Sequence, residues 1–327
     1  MKSCNFWLIT GGAGYIGSHI VEEFVSARKK VIVLDSLRNG SLNRIKYLES
    51  QFSQEIPFFK CDIRDIESLS SIFKEFKFDG VIHTAGLKSV SESVSNPEEY
   101  FEVNFRATES IIGLLRIYEV PKFIFSSTAA VYDSPKDFEP VREIDLKLPI
   151  SPYGASKLAA ENAVNEFLED TKTNGTSLRF FNVIGTSSRE MRDNSVDNLV
   201  PKVMERIVSN QPPMIYGTEY PTADGTCIRD FVDVRDIARA HLETANEVNK
   251  LPSAFNVGTG QGHSVLAIIQ SLLKMSGTPH LEPIDAGPRP GDSPYLCANV
   301  ELLRNRLNFE TKYSLERSLF DASKYLF

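Results

Sequence analysis

The hydrophobic pattern of this chain keeps switching period. Continuous apolar runs of strand length stand at 6–10, 31–35, 56–60, 81–85, 122–127 and 177–182. Between them, at about 15–28, 66–76, 97–119 and 153–172, apolar residues recur every three or four positions. The first kind of run reads as a strand buried on both faces, the second as an amphipathic helix that covers it. Their alternation predicts a mainly parallel sheet with helices on both faces. Periodicity weakens after Asn182, and the segments 211–228 and 278–294 are rich in Pro and Gly. A helical run, Val232 to Glu247, lies between those segments, and FNVGTG at 255–260 reads like another strand end. This predicts a sheet domain of residues 1–183 plus about 226–262. A smaller lobe of about 184–225 plus 263–327 is woven from two excursions of the chain.

The first run leads into glycines at 11, 12, 14 and 17, and a helical pattern follows from Ser18. They fit G-x-x-G-x-x-G from Gly11 and G-x-G-x-x-G from Gly12 at once. Glycine permits the tight turn, lets backbone N–H groups approach a pyrophosphate, and lets the helix pack close to the sheet. The helix N-terminus adds partial positive charge. The second strand, VIVLD, ends at Asp35, 18 residues after the last glycine. A carboxylate there accepts hydrogen bonds from ribose hydroxyls and repels a 2'-phosphate, which favours NAD over NADP. Arg38 nearby softens that preference. The fold class expected is therefore α/β, a Rossmann-type doubly wound parallel sheet with a smaller C-terminal substrate lobe. In such a sheet Gly11–Gly17, Asp35, Asp62, Ala85–Lys88 and Ser126–Thr128 all fall at strand ends and should line one crevice.

Tyr153-Gly-Ala-Ser-Lys157 follows Ser-Pro at a predicted helix start. Residues four apart share a helix face, so the phenol and the ammonium should stand side by side. A nearby cation lowers a Tyr pKa, which makes Tyr153 a candidate general base. Upstream, the strand FIFSST ends in three hydroxyls. Thr128 could share a hydrogen bond between a substrate hydroxyl and Tyr153; the plain alternative for all three is strand-end capping.

Composition narrows the field. The chain has 327 residues and a net charge of −7, with no block of basic residues, so nucleic-acid binding is not expected. No apolar run reaches membrane-spanning length. Cys4, Cys61, Cys227 and Cys297 are scattered and read as reduced buried thiols, with no metal site. A cytoplasmic location is expected.

Several segments carry a resemblance. TGGAGYIGSH, Asp62-Ile-Arg, HTAGLKSVSESV at 83–94, Ser-Ser-Thr with Tyr-Gly-Ala-Ser-Lys, and Arg-Phe-Phe-Asn at 179–182 resemble the extended short-chain dehydrogenase/reductases. YPTADGTCIRDFVDVRDIARAH at 220–241 and PRPGD at 288–292 narrow this to the UDP-glucose (UDP-galactose) 4-epimerases, with the match running almost end to end. The resemblance implies NAD-dependent C4 epimerisation of UDP-hexoses through a transient 4-keto sugar, and a homodimer. It implies NAD contacts at Gly11, Gly14, Tyr15, Ile16, Gly17, Asp35, Asp62, Ile63, Ala85, Gly86, Lys88, Asn104 and Ser126, with Lys157 and Tyr153 at the nicotinamide end. Thr128 and Tyr153 would address the sugar 4-hydroxyl, beside Lys88. Asn182, Asn198, Leu199, Arg229, Arg289 and Asp292 would hold the UDP part, where planar arginine donors suit a diphosphate. The plain alternative for Arg229 is an ion pair with Asp230 or Asp233. The dimer would pair helices 97–119 and 153–172, with Ile111, Leu114 and Leu115 as an apolar stripe.

Four positions depart from the family pattern. Thr128 stands where serine is frequent, Phe231 where Tyr is usual, and Asp133 where glycine is usual. Leu296 occupies a wall position often held by Tyr, and a smaller residue leaves room for a 2-acetamido group, so UDP-GlcNAc and UDP-GalNAc become candidate substrates. A 4,6-dehydratase would need an acid pair after Thr128, but Ala129 and Ala130 stand there. A decarboxylase would need a carboxylate clamp, and none is evident. A non-catalytic NAD-sensing regulator would not need Tyr153 and Lys157.

Overall fold

The computed structural model describes residues 5–325 except 134, 136, 196, 290 and 291. Cys4 and the middle of the PRPGD segment lie outside the described residues. The chain runs β1 (Phe6–Thr10), α1 (Tyr15–Ser26), β2 (Val31–Asp35), α2 (Leu42–Phe52), β3 (Phe58–Lys60), α3 (Ile66–Glu75) and β4 (Phe78–His83). Two short helices, α4 (Val90–Ser95) and α5 (Pro97–Phe101), lead through a π-helical turn at Glu102–Arg106 into α6 (Ala107–Ile117). Next come β5 (Lys122–Thr128), a 3-10 turn at Ala129–Val131, α7 (Pro152–Asp170) and β6 (Asn174–Phe180). The remainder is β7 (Asn182–Ile184), α8 (Leu199–Val208), β8 (Met214–Ile215), β9 (Ile228–Asp233), α9 (Val234–Asn246), β10 (Ala254–Val257), β11 (Gly262–Ser264), α10 (Val265–Met275), β12 (Ile284–Asp285), β13 (Tyr295–Leu296), α11 (Glu301–Leu307) and α12 (Leu315–Lys324).

Seven strands form one parallel sheet in the order β10-β6-β5-β4-β1-β2-β3. Successive side chains point to opposite faces, and both faces are apolar. Ile9, Val33, Ile124 and Leu178 pack with Ile20 and Phe24 of α1 and Ile237 of α9. Leu8, Ile32, Phe123 and Phe125 pack with Phe73 of α3, Ile111 and Leu115 of α6, and Phe167 of α7. Burying each such side chain stabilises the fold by about 1.5–3 kcal/mol before chain entropy is counted. A second, smaller sheet has β11, β9 and β13 in order, with β7 also paired to β9.

The expected α/β order is present, with instructive differences at the edges. β3 begins at Phe58 because Pro57 has no N–H, and its carbonyl takes the Val33 N–H at 2.8 Å. Asn182 starts β7 and does not end β6. The long helix expected at 97–119 is interrupted by the π turn, and the chain turns left-handed at Glu119 (φ 47°). Helix α2 is an element beyond those expected: only Arg44, Ile45 and Leu48 of its residues are buried, too few to mark an amphipathic pattern. The stripe Ile111, Leu114 and Leu115 is not a dimer face. α6 covers the sheet, and all three are buried within this chain's own core.

Three histidines lie inside this packing. Thr108 gives its hydroxyl proton to the Asn104 carbonyl, so His83 Nε2–H donates to Thr108 (3.0 Å) and Nδ1 accepts from Thr10 (2.7 Å). His19 Nδ1–H donates to the Tyr15 carbonyl (2.8 Å), and Nε2 accepts the Ser187 N–H (3.2 Å). His241 Nδ1–H donates to the Ile237 carbonyl (2.8 Å), and Nε2 accepts from Ser126 (3.2 Å). Burial brings the pKa down to about 3 for His83 and about 4 for His19 and His241. Unfolded histidine ionises near about 6.5, so between these values the unfolded chain binds more protons than the folded one. The stability gained by keeping the rings neutral is complete above about pH 6.5 and is lost as pH falls through about 4. The urea midpoint should therefore drop between pH 7 and 4.5, and drop less in His241→Gln. Equal drops in both proteins would show that His241 carries none of the linkage.

Candidate functional site

The glycine turn is built by close approach. Gly11 takes φ 70°, and a Cβ there would lie 2.7 Å from the Ala85 nitrogen. A Cβ on Gly17 would lie 2.1 Å from the Gly11 carbonyl oxygen, so α1 is pressed onto the turn. Gly14 caps α1 with no side-chain hydrogen bond, which leaves first-turn N–H groups for an anion. Asp35 ends β2 and is buried; it accepts the Leu37 N–H (2.7 Å) and the Ala13 N–H (3.0 Å). Burial pushes its pKa up, against those two bonds. Arg38 is held by Glu99 and by Glu92 (3.3 Å), so its charge is already matched by two carboxylates. This turn, uncapped helix and acidic strand end fit a dinucleotide.

The other expected cofactor residues have visible local duties. Asp62 is paired with Arg64 at 2.6 Å, and Ile63 is buried beside it. Tyr15 donates from its hydroxyl to the Gly185 carbonyl (2.5 Å), joining the turn to the smaller sheet. Asn104, in the π turn, accepts the Leu87 N–H (2.8 Å) and donates to the Leu87 carbonyl and to Ser156 (both 3.0 Å). It braces the Ala85–Lys88 loop against α7, and Gly86 packs so close that a Cβ would meet its Oδ1 at 2.8 Å.

The three strand-end hydroxyls diverge. Ser126 bonds His241 (3.2 Å), Ser127 donates to Glu161 (2.8 Å), and Thr128 accepts the Ala130 N–H (3.1 Å). Thr128 is the one that reaches Tyr153, and its hydrogen bond lowers the phenol's pKa against a larger upward push from burial. α7 starts where expected: Ser151 accepts the Gly154 N–H (3.1 Å), and Pro152 takes the first helical position. Lys157 departs from expectation. Its ammonium lies 4.0 Å from the centre of the Phe125 ring, and burial pulls its pKa down to about 7, with Glu161 opposing. The group that eases ionisation of Tyr153 here is the Thr128 hydroxyl; the Lys157 ammonium lies over the Phe125 ring.

A cavity of about 730 Å³ opens beside these groups. It brings together Tyr15, Ile16, Lys88, Thr128, Tyr153, Asn182, Asn198, Leu199, Arg229, Arg289, Asp292 and Leu296. Gly11, Gly14, Gly17, Asp35, Asp62, Ile63, Ala85, Gly86, Asn104, Ser126 and Lys157 do not line it; all but Asn104 and Lys157 lie at or just beyond the carboxyl ends of the first five strands. Arg229 pairs with Asp292 at 2.7 Å. It pairs with neither Asp230, which accepts the Thr259 N–H (2.8 Å), nor Asp233, which holds Arg235 (2.7 Å). Arg289 stacks on Tyr216, 3.6 Å from the ring centre. Asn198 precedes α8 without capping it, so Leu199 begins a helix whose first N–H groups have no side-chain cap and whose first residues line the cavity. Burial lowers the Lys88 pKa, with Asp193 and Asp197 opposing. Leu296 lies in β13, in register with Arg229.

Sequence reasoning missed Tyr216, Phe181, Val90, Val94 and Ile150 in the cavity wall. It also missed the buried Glu161–Arg179 pair behind it. Glu161 was legible as a polar residue four positions after Lys157 on the same helix face. Val90 and Val94 come from the short helix α4, and Ile150, Phe181 and Tyr216 from connections between elements; none of these segments is long enough to carry a periodic signal.

The model of the NAD dependent epimerase/dehydratase family matches residues 7–258. UDP-glucose 4-epimerase 4 of Oryza sativa subsp. japonica is 36% identical, over 96% of this chain and 88% of its own length. The bifunctional protein gal10 of Schizosaccharomyces pombe is also 36% identical, but this chain spans only 46% of it. Among solved structures, the UDP-glucose 4-epimerase from Bifidobacterium longum in complex with NAD+ and UDP superposes with a TM-score of 0.91 at 30% identity, over 98% of both chains. The UDP-Glc/GlcNAc 4-epimerase of Campylobacter jejuni gives 0.86 at 34% identity, over 98% of this chain and 99% of that one. With the family pattern matched over most of its length and the fold shared nearly end to end, this chain belongs to the NAD dependent epimerase/dehydratase family.

Proposed function

We infer that this chain interconverts the C4 epimers of UDP-hexoses, with NAD as its resident cofactor. One observation carries the reading: the hydrogen-bonded Thr128 and Tyr153 share a cavity with Arg229, Arg289 and Asn182. The arginines and the N-terminus of α8 suit a diphosphate, and the phenol suits a sugar hydroxyl. Residues 1–183 with about 226–262 would hold the cofactor, and 184–225 with 263–327 the UDP-sugar. Gly11, Gly14 and Gly17 would admit the diphosphate, and Asp35 the adenosine ribose. Arg38, held by its two carboxylates, leaves Asp35 to favour NAD over NADP.

Bound NAD supplies a hydride acceptor that returns what it takes. The chain's own groups then have a proton to manage. Tyr153 takes the proton of the 4-hydroxyl and gives it back, with Thr128 bridging phenol and sugar. Lys157, whose ammonium lies over the Phe125 ring, would bond the nicotinamide ribose of the bound cofactor. Arg229 and Arg289 anchor the diphosphate while the hexose turns. Ala129 and Ala130 bring only methyl groups to the wall, which supports epimerisation over dehydration. A homodimer and a cytoplasmic location belong to this reading. The buried free thiols Cys61, Cys227 and Cys297 support the second.

The purified protein, with no NAD added, should convert UDP-glucose to UDP-galactose, release NAD on denaturation, and sediment as a dimer. A 4-keto-6-deoxy product, or no product, would overturn the assignment. Tyr153→Phe keeps the ring and removes the proton carrier. Its kcat should fall by at least about 10²–10⁴-fold while UDP affinity stays close to that of the unaltered protein. A rate near normal would place the base elsewhere.

Leu296 is half-buried in the cavity wall. It is shorter than Tyr, so the enzyme should also interconvert UDP-GlcNAc and UDP-GalNAc. Leu296→Tyr should lower kcat/KM for the acetylated pair more than for the plain pair, because exclusion acts on the larger sugar. Equal losses on both pairs would make Leu296 an ordinary packing residue.

A further inference from the structure

The connection from β7 to α8 delivers Asn198 and Leu199 to the cavity, and its two halves are held differently. The first half is fixed by α1: Tyr15 donates to the Gly185 carbonyl, and His19 accepts the Ser187 N–H. From Ser188 to Asn198 the bonds turn inward. Thr186 donates to the Ser188 carbonyl (2.8 Å), and Arg192 Nη1 donates to the Arg189 carbonyl (3.1 Å). Asp193 accepts the Ser195 N–H (2.9 Å) and the Asn198 side-chain amide, and the Asn198 carbonyl accepts the Lys202 N–H (3.2 Å). Among the described residues, the one hydrogen bond that reaches this second half from the dinucleotide domain comes from Arg44.

Arg44 stands on α2 and is only 3% exposed. Its Nη1 donates to the Ala13 carbonyl inside the glycine turn (3.1 Å), and its Nη2 donates to the Arg192 carbonyl (2.8 Å). Both acceptors are neutral, and Nε has no partner among the described residues. A guanidinium buried on neutral acceptors costs stability that an apolar side chain would not, so packing alone gives no reason for it. What the planar fork does supply is a fixed spacing between two peptide groups. The glycine turn has other supports, because the Ala13 N–H donates to Asp35 (3.0 Å) and its carbonyl also takes the Ser41 N–H (2.9 Å). Met191 packs into the same core as Ala13 and Ile45, but an unbranched thioether fills space without fixing the direction of the backbone. Removing Arg44 therefore frees the connection more than the turn.

We propose that Arg44 is a positioning residue for the UDP end of the cavity: by tying the Arg192 carbonyl to the glycine turn, it sets where Asp193, Asn198 and the first turn of α8 stand. The identity of the ligand rests on the epimerase reading; the tether does not. Thr128 and Tyr153 are set by β5 and α7, not by this connection. Loss of the tether should therefore weaken binding of UDP and leave the proton transfer largely intact.

The test is calorimetric titration of the NAD-loaded protein with UDP, followed by steady-state kinetics with UDP-glucose. Arg44→Met should raise the Kd for UDP, and with it KM, by about tenfold, while kcat changes by about twofold or less. Arg44→Lys should recover only part of the affinity, because an ammonium has no planar fork to span both carbonyls. Asp193→Ala cuts the same path one residue further on, leaves Arg44 and the buried core in place, and should also weaken UDP. A folded, NAD-loaded Arg44→Met protein with an unmoved Kd for UDP would overturn the proposal, whatever its kcat. A folded variant that sheds NAD would place Arg44 in the service of the turn, and would overturn it too. If Arg44→Met does not fold, an unmoved Kd in Asp193→Ala would do so. An unaltered protein that binds UDP without epimerising UDP-glucose would remove the reaction and leave the tether to be judged on affinity; one that binds no UDP would remove both.

Discussion

Parallel strands cannot be joined by tight turns; each needs a crossover that carries the chain back past the sheet. In this protein that constraint organises everything else. The crossovers put every outgoing loop at one edge of the sheet, so Gly11, Asp35, Asp62, Ala85 and Thr128 become neighbours although they span most of the first half of the chain. The strand order runs outward from β1 to β3 on one side and from β4 to β10 on the other. A crevice opens where the order reverses, between β1 and β4, and the glycine turn and the Ala85 loop meet there at 2.7 Å from any added Cβ.

The smaller sheet is fastened to that edge largely by buried carboxylates. Asp230 accepts the N–H groups of Thr259 (2.8 Å), Gly260 (2.9 Å) and Ala298 (3.2 Å). Asp233 holds Arg235 and Ser318, and Arg235 reaches Asp321 of α12 at 2.8 Å. A buried carboxylate is tolerated when its oxygens are satisfied, and breaking such a pair costs about 3–5 kcal/mol. These contacts tie distant segments to β9, the strand that carries Arg229. The grip on an anionic ligand therefore depends on residues that never touch it.

Burial acts on Tyr153 and Lys157 in opposite senses and favours the uncharged form of each. Thr128 works against the first effect and Glu161 against the second.

Local sequence was enough to determine the alternation of strand and helix, the glycine turn, Asp35 and the Tyr153–Lys157 helix face, because each depends on neighbours within a few residues. The resemblance supplied Asn182, Arg229, Arg289 and Asp292 as ligand-facing residues, and they do line one cavity. Tertiary structure alone decided the rest. Ile111, Leu114 and Leu115 form an apolar stripe in sequence, and only the sheet beneath α6 decides that they are core. The partner of Arg229 proved to be Asp292, 63 positions away, rather than the adjacent Asp230. Lys157 sits over Phe125 because a strand from elsewhere in the chain places a ring there. Periodicity reports which face of an element is buried; what that face meets is set by long-range packing, which no local pattern encodes.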